Sequence, residues 1–170
     1  MTPAMRIEPV HRGRELFRDL LLLADEQWDM VELYLHRGEM FAAYAGDGLR
    51  TKAGSVLVPD RAIGCMIVTD EGIDERGLRI AEVKSLAVDA AHQRSGFGRA
   101  LLEFAARHVA REHDVLRVGT GDSPLTVPFY EACGFMRSYV LPNFFIDNYD
   151  HPIIEAGVQL EDMVILERRL

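Results

Sequence analysis

The sequence predicts an α+β fold built on a mixed sheet with helices on both faces. Three observations carry this reading. The elements run helices first, then an antiparallel meander, then strand–helix–strand–helix–strand. The 170 residues are 48% apolar and 27% charged, an ordinary balance for a chain of one-domain size. A Gly-rich turn at Gln93, Gly96 and Gly98 separates a long extended run from a strongly amphipathic helix.

Each element follows from local pattern. Residues 5–9 read as a short first strand. Residues 13–24 read as a helix, with Leu16, Leu20 and Leu23 at helical spacing. The acidic connection 25–28 leads to a second helix over about 29–37, ended by Gly38. Residues 40–44 form a strand candidate, followed by a Gly-rich irregular segment over 46–59. Residues 62–69 are a strand, 70–77 have hairpin-loop composition, and 78–88 are a long extended run. The helix after the Gly-rich turn spans about 98–113, with Leu101, Leu102, Ala105 and Val109 on one side. Residues 115–119 are a strand, and 127–133 a short helix stopped by Gly134. Strands at 138–141 and 163–166 close the chain around an aromatic and acidic insert, 142–161. The length predicts a single domain over 1–170.

Composition narrows the function. Lys plus Arg number 19 and Asp plus Glu 27, a net charge of −8. This argues against nucleic acid or an anionic membrane as the main partner. It suits an amine-bearing acceptor, and an anionic ligand would need a local basic site. Cys65 and Cys133 are too few for a metal cluster or a disulfide framework, and the six His residues show no metal spacing. No secretory pattern opens the chain, and the apolar run 20–24 is far too short to span a bilayer. The expected setting is reducing and cytoplasmic.

The most informative stretch is 88–102, which leaves a strand, turns on two glycines and opens a helix. Free N–H groups at a helix start, with the helix dipole, make a phosphate site. Gly96 and Gly98 allow close approach to the backbone, and Arg94 and Arg99 add local positive charge. A Walker loop is excluded, because Gly98-Arg99-Ala100 is not Gly-Lys followed by Ser or Thr. A dinucleotide fingerprint is excluded by Leu101 in place of its third glycine. The run resembles the Gln/Arg-x-x-Gly-x-Gly/Ala signature of the GCN5-related N-acetyltransferase (GNAT) superfamily, with Gln93, Gly96 and Gly98 at its fixed positions. Leu86-Ala87-Val88 looks like the end of that family's central strand. Phe129-Tyr130, three residues and Gly134-Phe135 are similar to its Phe-Tyr-x-x-x-Gly-Phe block. The resemblance is specific over 78–141 and looser over 1–77.

The resemblance implies a mixed, mostly antiparallel sheet of about six to seven strands. It implies acetyl transfer from acetyl-CoA, the only cofactor expected and a co-substrate, to a small-molecule or protein amine by direct attack. The CoA pyrophosphate would lie on the amides of Arg94, Ser95, Gly96, Phe97, Gly98 and Arg99, beside Gln93. The pantetheine arm would pair with the strand end at Leu86, Ala87 and Val88. Many members carry an Asn before the Tyr helix where this chain has Asp122 and Ser123, so Ser123 is the expected contact there. Homodimers are common in the family, though no segment here specifies one.

The reaction needs a base, because an amine of pKa about 10 arrives protonated at neutral pH. The resemblance assigns this role to Glu82, directly or through water, six residues before Val88. A strand carboxylate paired with Lys84 is the structural alternative. Tyr130 matches the tyrosine facing the cofactor sulfur and would donate to the leaving thiolate; a plain core aromatic is the alternative. Cys65 and Cys133 read as buried small hydrophobes. Trp28, Tyr34, Phe144, Phe145 and Tyr149 are candidates for lining an acceptor pocket. A non-catalytic acyl-CoA sensor on the same scaffold stays open, although pure binding needs neither Glu82 nor Tyr130.

Overall fold

The computed structural model describes residues 4–45 and 61–170. The predicted irregular segment 46–59 lies outside the described residues. The chain begins with β1 (Met5–Pro9), then a 3-10 turn (Arg14–Phe17) that runs into α1 (Arg18–Ala24) and on to α2 (Trp28–Glu32). A meander follows in β2 (Glu39–Ala45), β3 (Gly64–Ile73) and β4 (Arg79–Val88). Next come α3 (Phe97–Val109), β5 (Val115–Gly121), α4 (Thr126–Ala132) and β6 (Met136–Leu141). The chain ends with α5 (Phe144–Asn148), the small hairpin β7 (Ile154–Glu155) and β8 (Val158–Gln159), and β9 (Met163–Arg169).

The main sheet has seven strands in the order β1-β2-β3-β4-β5-β9-β6. Every neighbouring pair is antiparallel except β4 and β5. That pair is parallel because α3 carries the chain back between them, as a parallel connection requires. The mixed, mostly antiparallel α+β architecture is as expected.

Two cores lie on opposite faces. On one, α3 lays Leu101, Leu102, Ala105 and Val109 against Met66, Val83, Leu116 and Leu166. On the other, Leu21 of α1, Val31 of α2 and Leu35 cover Cys65, Ile67 and Ala87. β4 therefore sends Val83 to the α3 face and Ala87, four residues on, to the other. A bulge makes this switch. Ile67 pairs with Ser85 and Val68 with Val83, so Lys84 is an extra residue on β4.

The boundaries differ from the sequence reading where side chains override composition. The first half of the expected 70–77 loop is strand, and the turn shrinks to the few residues after Ile73. There the Asp74 carboxylate accepts from the amides of Arg76 and Leu78. α2 stops at Glu32 and runs out through turns to Gly38, whose φ is +56°. The insert folds into α5 and the β7–β8 hairpin around a small cluster of Phe145, Ile153 and Leu160. Among the described residues no helix is long and apolar enough to cross a membrane.

Candidate active site

The parallel pairing of β4 with β5 covers only Ile80–Val83 against Val115–Val118. Beyond it β4 stays on β3 as far as Val88, and β5 stays on β9 as far as Gly121. The two central strands diverge, and a gap opens between them. Asp89 N–H donates to Ile63 O at 2.7 Å. By the two-residue alternation of a strand, Ala87 then bonds β3, and Leu86 and Val88 direct their backbone groups into the gap. Backbone donors at such an edge call for a partner.

A cavity of about 230 Å³ occupies this gap. Lys84, Ser85 and Leu86 form its β4 wall, and Gly119, Thr120 and Gly121 its β5 wall. Tyr130 lies at the α4 side. The α1–α2 connection contributes Asp25 and Glu26, and the insert contributes Phe145, Tyr149, Glu155 and Leu160.

The glycine turn sits at the end of the β4 wall. Asp89 accepts from the Ala91 amide at 3.0 Å and starts a 3-10 turn. The Gln93 side-chain amide donates to Val88 O at 3.0 Å, and Ser95 Oγ donates to Gln93 O at 3.3 Å. Arg94 and Gly96 both adopt positive φ, +58° and +87°, a conformation natural to glycine alone. The first α-helical bond runs from Ala100 N–H to Gly96 O. The amides of Phe97, Gly98 and Arg99 precede that bond and face outward from the helix start. The Phe97 ring is buried edge-on to His92, so only its backbone is offered. A Cβ on Gly98 would lie 3.2 Å from Phe129 Cζ, so glycine also lets α4 close on α3. Arg94, Ser95 and Arg99 are exposed.

Tyr130 packs edge-on to Phe129 and Phe135. Burial pushes its phenol well above the usual tyrosine range, with Cys133 and Glu155 adding to the effect. It is a protonated donor at neutral pH. Cys65 and Cys133 are buried and unpaired, and burial pushes the Cys65 thiol up to about 12.

Of the expected site residues Leu86 and Tyr130 line this cavity, while Glu82, Ser123, Ala87, Val88 and the 93–99 turn lie off its lining. Glu82 Oε1 lies 2.8 Å from Lys84 Nζ, which also approaches Glu71 at 3.6 Å. Lys84 is on the cavity wall and Glu82 is not. Lys84 is the bulge residue. Ser123 is buried, and its hydroxyl is consumed locally. It accepts from the amides of Leu125 and Thr126 at the start of α4 and makes a short bond to Glu155. Among the aromatic candidates, Phe145 and Tyr149 line the cavity. Trp28 instead donates to Glu32 and lies under the Arg18 guanidinium, and Phe144 packs on Phe145.

Sequence reasoning missed Asp25. Its Oδ1 accepts from Tyr149 OH at 2.7 Å and its Oδ2 from Tyr34 OH at 3.2 Å. Burial raises its pKa above the ordinary range, while the Tyr149 and Tyr34 bonds and a Gln27 amide pull it down and nearby Asp29 raises it. The acidic run at 25–28 was visible, but its link to a tyrosine 124 residues away was not. The described residues hold no group of His, Cys, Asp or Glu arranged for a metal ion.

Residues 37–137 match the family model described as "Acetyltransferase (GNAT) domain". The Bacillus subtilis (strain 168) protein YvbK, named as an N-acetyltransferase, is 34% identical over 95% of this chain and 94% of its own. A solved GNAT family acetyltransferase from Elizabethkingia anophelis with acetyl-CoA bound superposes with a TM-score of 0.80 at 29% identity, covering 98% of both chains. A Bacillus subtilis acetyltransferase in complex with CoA gives a TM-score of 0.79 at 32% identity, over 98% of this chain and 99% of that one. The Bacillus cereus ATCC 14579 protein described as an IAA acetyltransferase gives 0.78 at 27% identity, over 98% and 100%.

Proposed function

The chain belongs to the GNAT acetyltransferase family, and on that footing we propose that residues 1–170 act as one acetyl-CoA-dependent N-acetyltransferase domain. The acetyl group passes to a primary amine by direct attack in a ternary complex. The observation that carries this reading is the divergence of β4 from β5 beside the Gly96 turn. It sets the free strand edge at Leu86 and the buried Tyr130 on one cavity, with the N-terminus of α3 following the end of β4.

The residues fit the co-substrate. The first-turn amides from Arg94 to Arg99 would hold its pyrophosphate, aided by two exposed guanidinium groups. A Cβ at Gly96 would fill the approach. The backbone of Leu86 and Val88 would pair with the pantetheine arm as an added strand, with Ala87 alternating to β3. Gln93 holds this arrangement together through its bond to Val88 O, and Ser123 supports the opposite wall through Glu155. Acetyl-CoA supplies the thioester. The chain supplies position, exclusion of water, and proton handling. Tyr130 donates its phenol proton toward the leaving sulfur. Glu82, off the cavity wall and tied to Lys84, would reach an amine only through water.

The acceptor is an amine of a small molecule or a protein. Three carboxylates, Asp25, Glu26 and Glu155, face one lysine across the cavity wall, which favours a cation. The two buried, unpaired cysteines suit a reducing cytoplasm. The test is thiol release from acetyl-CoA over a panel of polyamines, aminoglycosides, amino acids and peptides. Turnover with one class assigns the acceptor. Tight CoA binding with no turnover on any amine would replace this reading with an acyl-CoA sensor.

A further inference from the structure

We propose that Asp25 takes the proton from the attacking amine, with Tyr34 and Tyr149 as the positioning residues that aim it. This rests on the acetyl-transfer reading above.

Asp25 is where α1 ends; its N–H donates to Leu21 O at 3.0 Å and its φ and ψ turn extended. The side chain is then fixed by two phenols from different elements. Tyr34 comes from the turn after α2, and Tyr149 from the end of α5. Tyr34, Tyr149 and the Gln27 amide take three acceptor sites of the carboxylate; with two sites per oxygen, one is left for an incoming N–H. The hydrogen-bond partners are two neutral hydroxyls and a backbone amide, none of them a cation.

Position separates Asp25 from the other carboxylates. Asp25 and Tyr149 share the cavity with Leu86 and Tyr130, the groups read as holding the pantetheine arm and the leaving sulfur. Glu155 is bound by the hydroxyls of Ser123 and Thr126. Glu26 is exposed, 3.7 Å from His151. Glu82 is paired to Lys84 and absent from the wall. Ser85 lies on the same wall, 4% exposed. Its Oγ is near enough to Tyr34 to ease that phenol's ionisation, yet it makes no bond of good geometry among the described residues. A buried hydroxyl so placed offers a second contact to an acceptor amine.

The acid–base balance suits the task. Burial favours protonation of Asp25 above the ordinary carboxylate range, which raises its strength as a base. Both phenols are themselves pushed up, first by burial and then by Asp25, so they stay protonated donors. The other charged groups facing Asp25 are Asp29 on α2, Glu26 beside it, Lys84 on β4 and Glu155 on β7.

The step balances. Asp25 accepts one proton from the ammonium, freeing the nitrogen lone pair. That pair forms the N–C bond to the acetyl carbon while the C–S bonding pair leaves on sulfur. Tyr130 gives sulfur a proton and regains one from the amide nitrogen. Asp25 returns its proton to solvent, so one proton is released per acetyl group moved.

The experiment compares wild type, Asp25→Asn, Asp25→Ala, Tyr149→Phe and Glu82→Gln. It uses whichever panel amine turns over best. Asp25→Asn should lower kcat by about 10²–10⁴-fold, while calorimetry shows acetyl-CoA affinity within about twofold of wild type. Formate should restore part of the lost rate in Asp25→Ala, which keeps the test valid if the Asn variant folds poorly. Tyr149→Phe removes a bond that lowers the Asp25 pKa, so the acidic limb of the kcat/KM profile should move to higher pH. A merely structural tyrosine would leave that limb in place. A rise in KM alone in Asp25→Asn would overturn the proposal, because Asp25 would then only hold the ammonium. So would a large kcat loss confined to Glu82→Gln. Absence of turnover in wild type with every amine would instead overturn the acetyl-transfer reading beneath it.

Discussion

Gly121→Ala should loosen the protein and reshape its cavity, and the cost follows from three distances. A Cβ at Gly121 would sit 2.3 Å from Leu160 Cδ1, 2.7 Å from Cδ2 and 2.9 Å from Cγ. Carbon atoms settle at about 3.5–4.0 Å, so the leucine must withdraw by roughly 1 Å. It has little room. Leu160 is buried with Phe145 and Ile153, and its amide is bonded to Ile153 O. Overpacking of this kind costs about 1–3 kcal/mol. Gly121 does not have positive φ, so alanine returns about 0.4–1 kcal/mol through the unfolded chain. The net loss is about 1–2 kcal/mol, or roughly 2–8 °C in Tm for a chain this size. Gly119→Ala is the control, since its Cβ meets first the Met163 sulfur at 2.7 Å, part of a flexible side chain. Thermal melts of both variants, with acceptor KM beside acetyl-CoA affinity, make the assay. Gly121→Ala should melt below Gly119→Ala and alter acceptor KM more than CoA affinity. A Gly121→Ala protein melting at or above wild type would refute the packing argument.

Three further outcomes follow. Gly96→Val places a β-branched residue at φ +87° and a Cβ in the phosphate approach, so CoA affinity should fall strongly; calorimetry showing full affinity in a folded variant would remove the pyrophosphate from this turn. Tyr130→Phe should lower kcat while melting temperature and CoA affinity hold, because one hydroxyl is lost and the ring packing is kept; unchanged kcat would take the thiolate role from Tyr130. Arg79 holds the Asp114 carboxyl well below its usual range, and Arg168 does the same for Glu103. Burial works to raise Glu167, but Arg117 and Arg76 outweigh it. These depressed carboxylates contribute stability that is present above their unfolded pKa of about 4 and is lost as pH falls through the folded values. Asp25, raised, runs the other way. Melting temperature should therefore hold from neutral pH to about 5 and decline below about 4, and a rise in that acid range would contradict the ion-pair assignment.

The sheet and the glycine turn were legible because their signals are local. The period of Leu101, Leu102, Ala105 and Val109 marks α3 whatever it packs against, and Gly96 occupies positive φ because the turn demands it. The insert was not legible in this way. Its fold depends on Phe145, Ile153 and Leu160 meeting over a hairpin of two-residue strands, too short for any periodicity. The acceptor wall was half visible. Tyr34 and Tyr149 stood out as aromatics, but only the folded chain brings both to Asp25. Ser123 fits the same pattern, since serine two or three residues before a helix start suits a cap as well as a ligand.

Glu82 and the glycine turn lie on opposite sides of an irregularity in β4. Counting back from the glycine turn assumes that every step on β4 moves the chain equally along the sheet. The extra residue at Lys84 breaks that assumption. Before the bulge, Arg79 O accepts from Asp114 N–H, so odd-numbered backbone groups bond toward β5. After it, Asp89 N–H bonds Ile63 O, so odd-numbered groups bond β3 and Leu86 and Val88 are released into the gap. The same inserted residue thus coincides with the end of the parallel pairing at Val83 and frees the strand edge beyond it. The end of α1, where Asp25 is held by a tyrosine from the insert, is one place where this fold brings a carboxylate to the cavity wall; Glu155 of β7 is another.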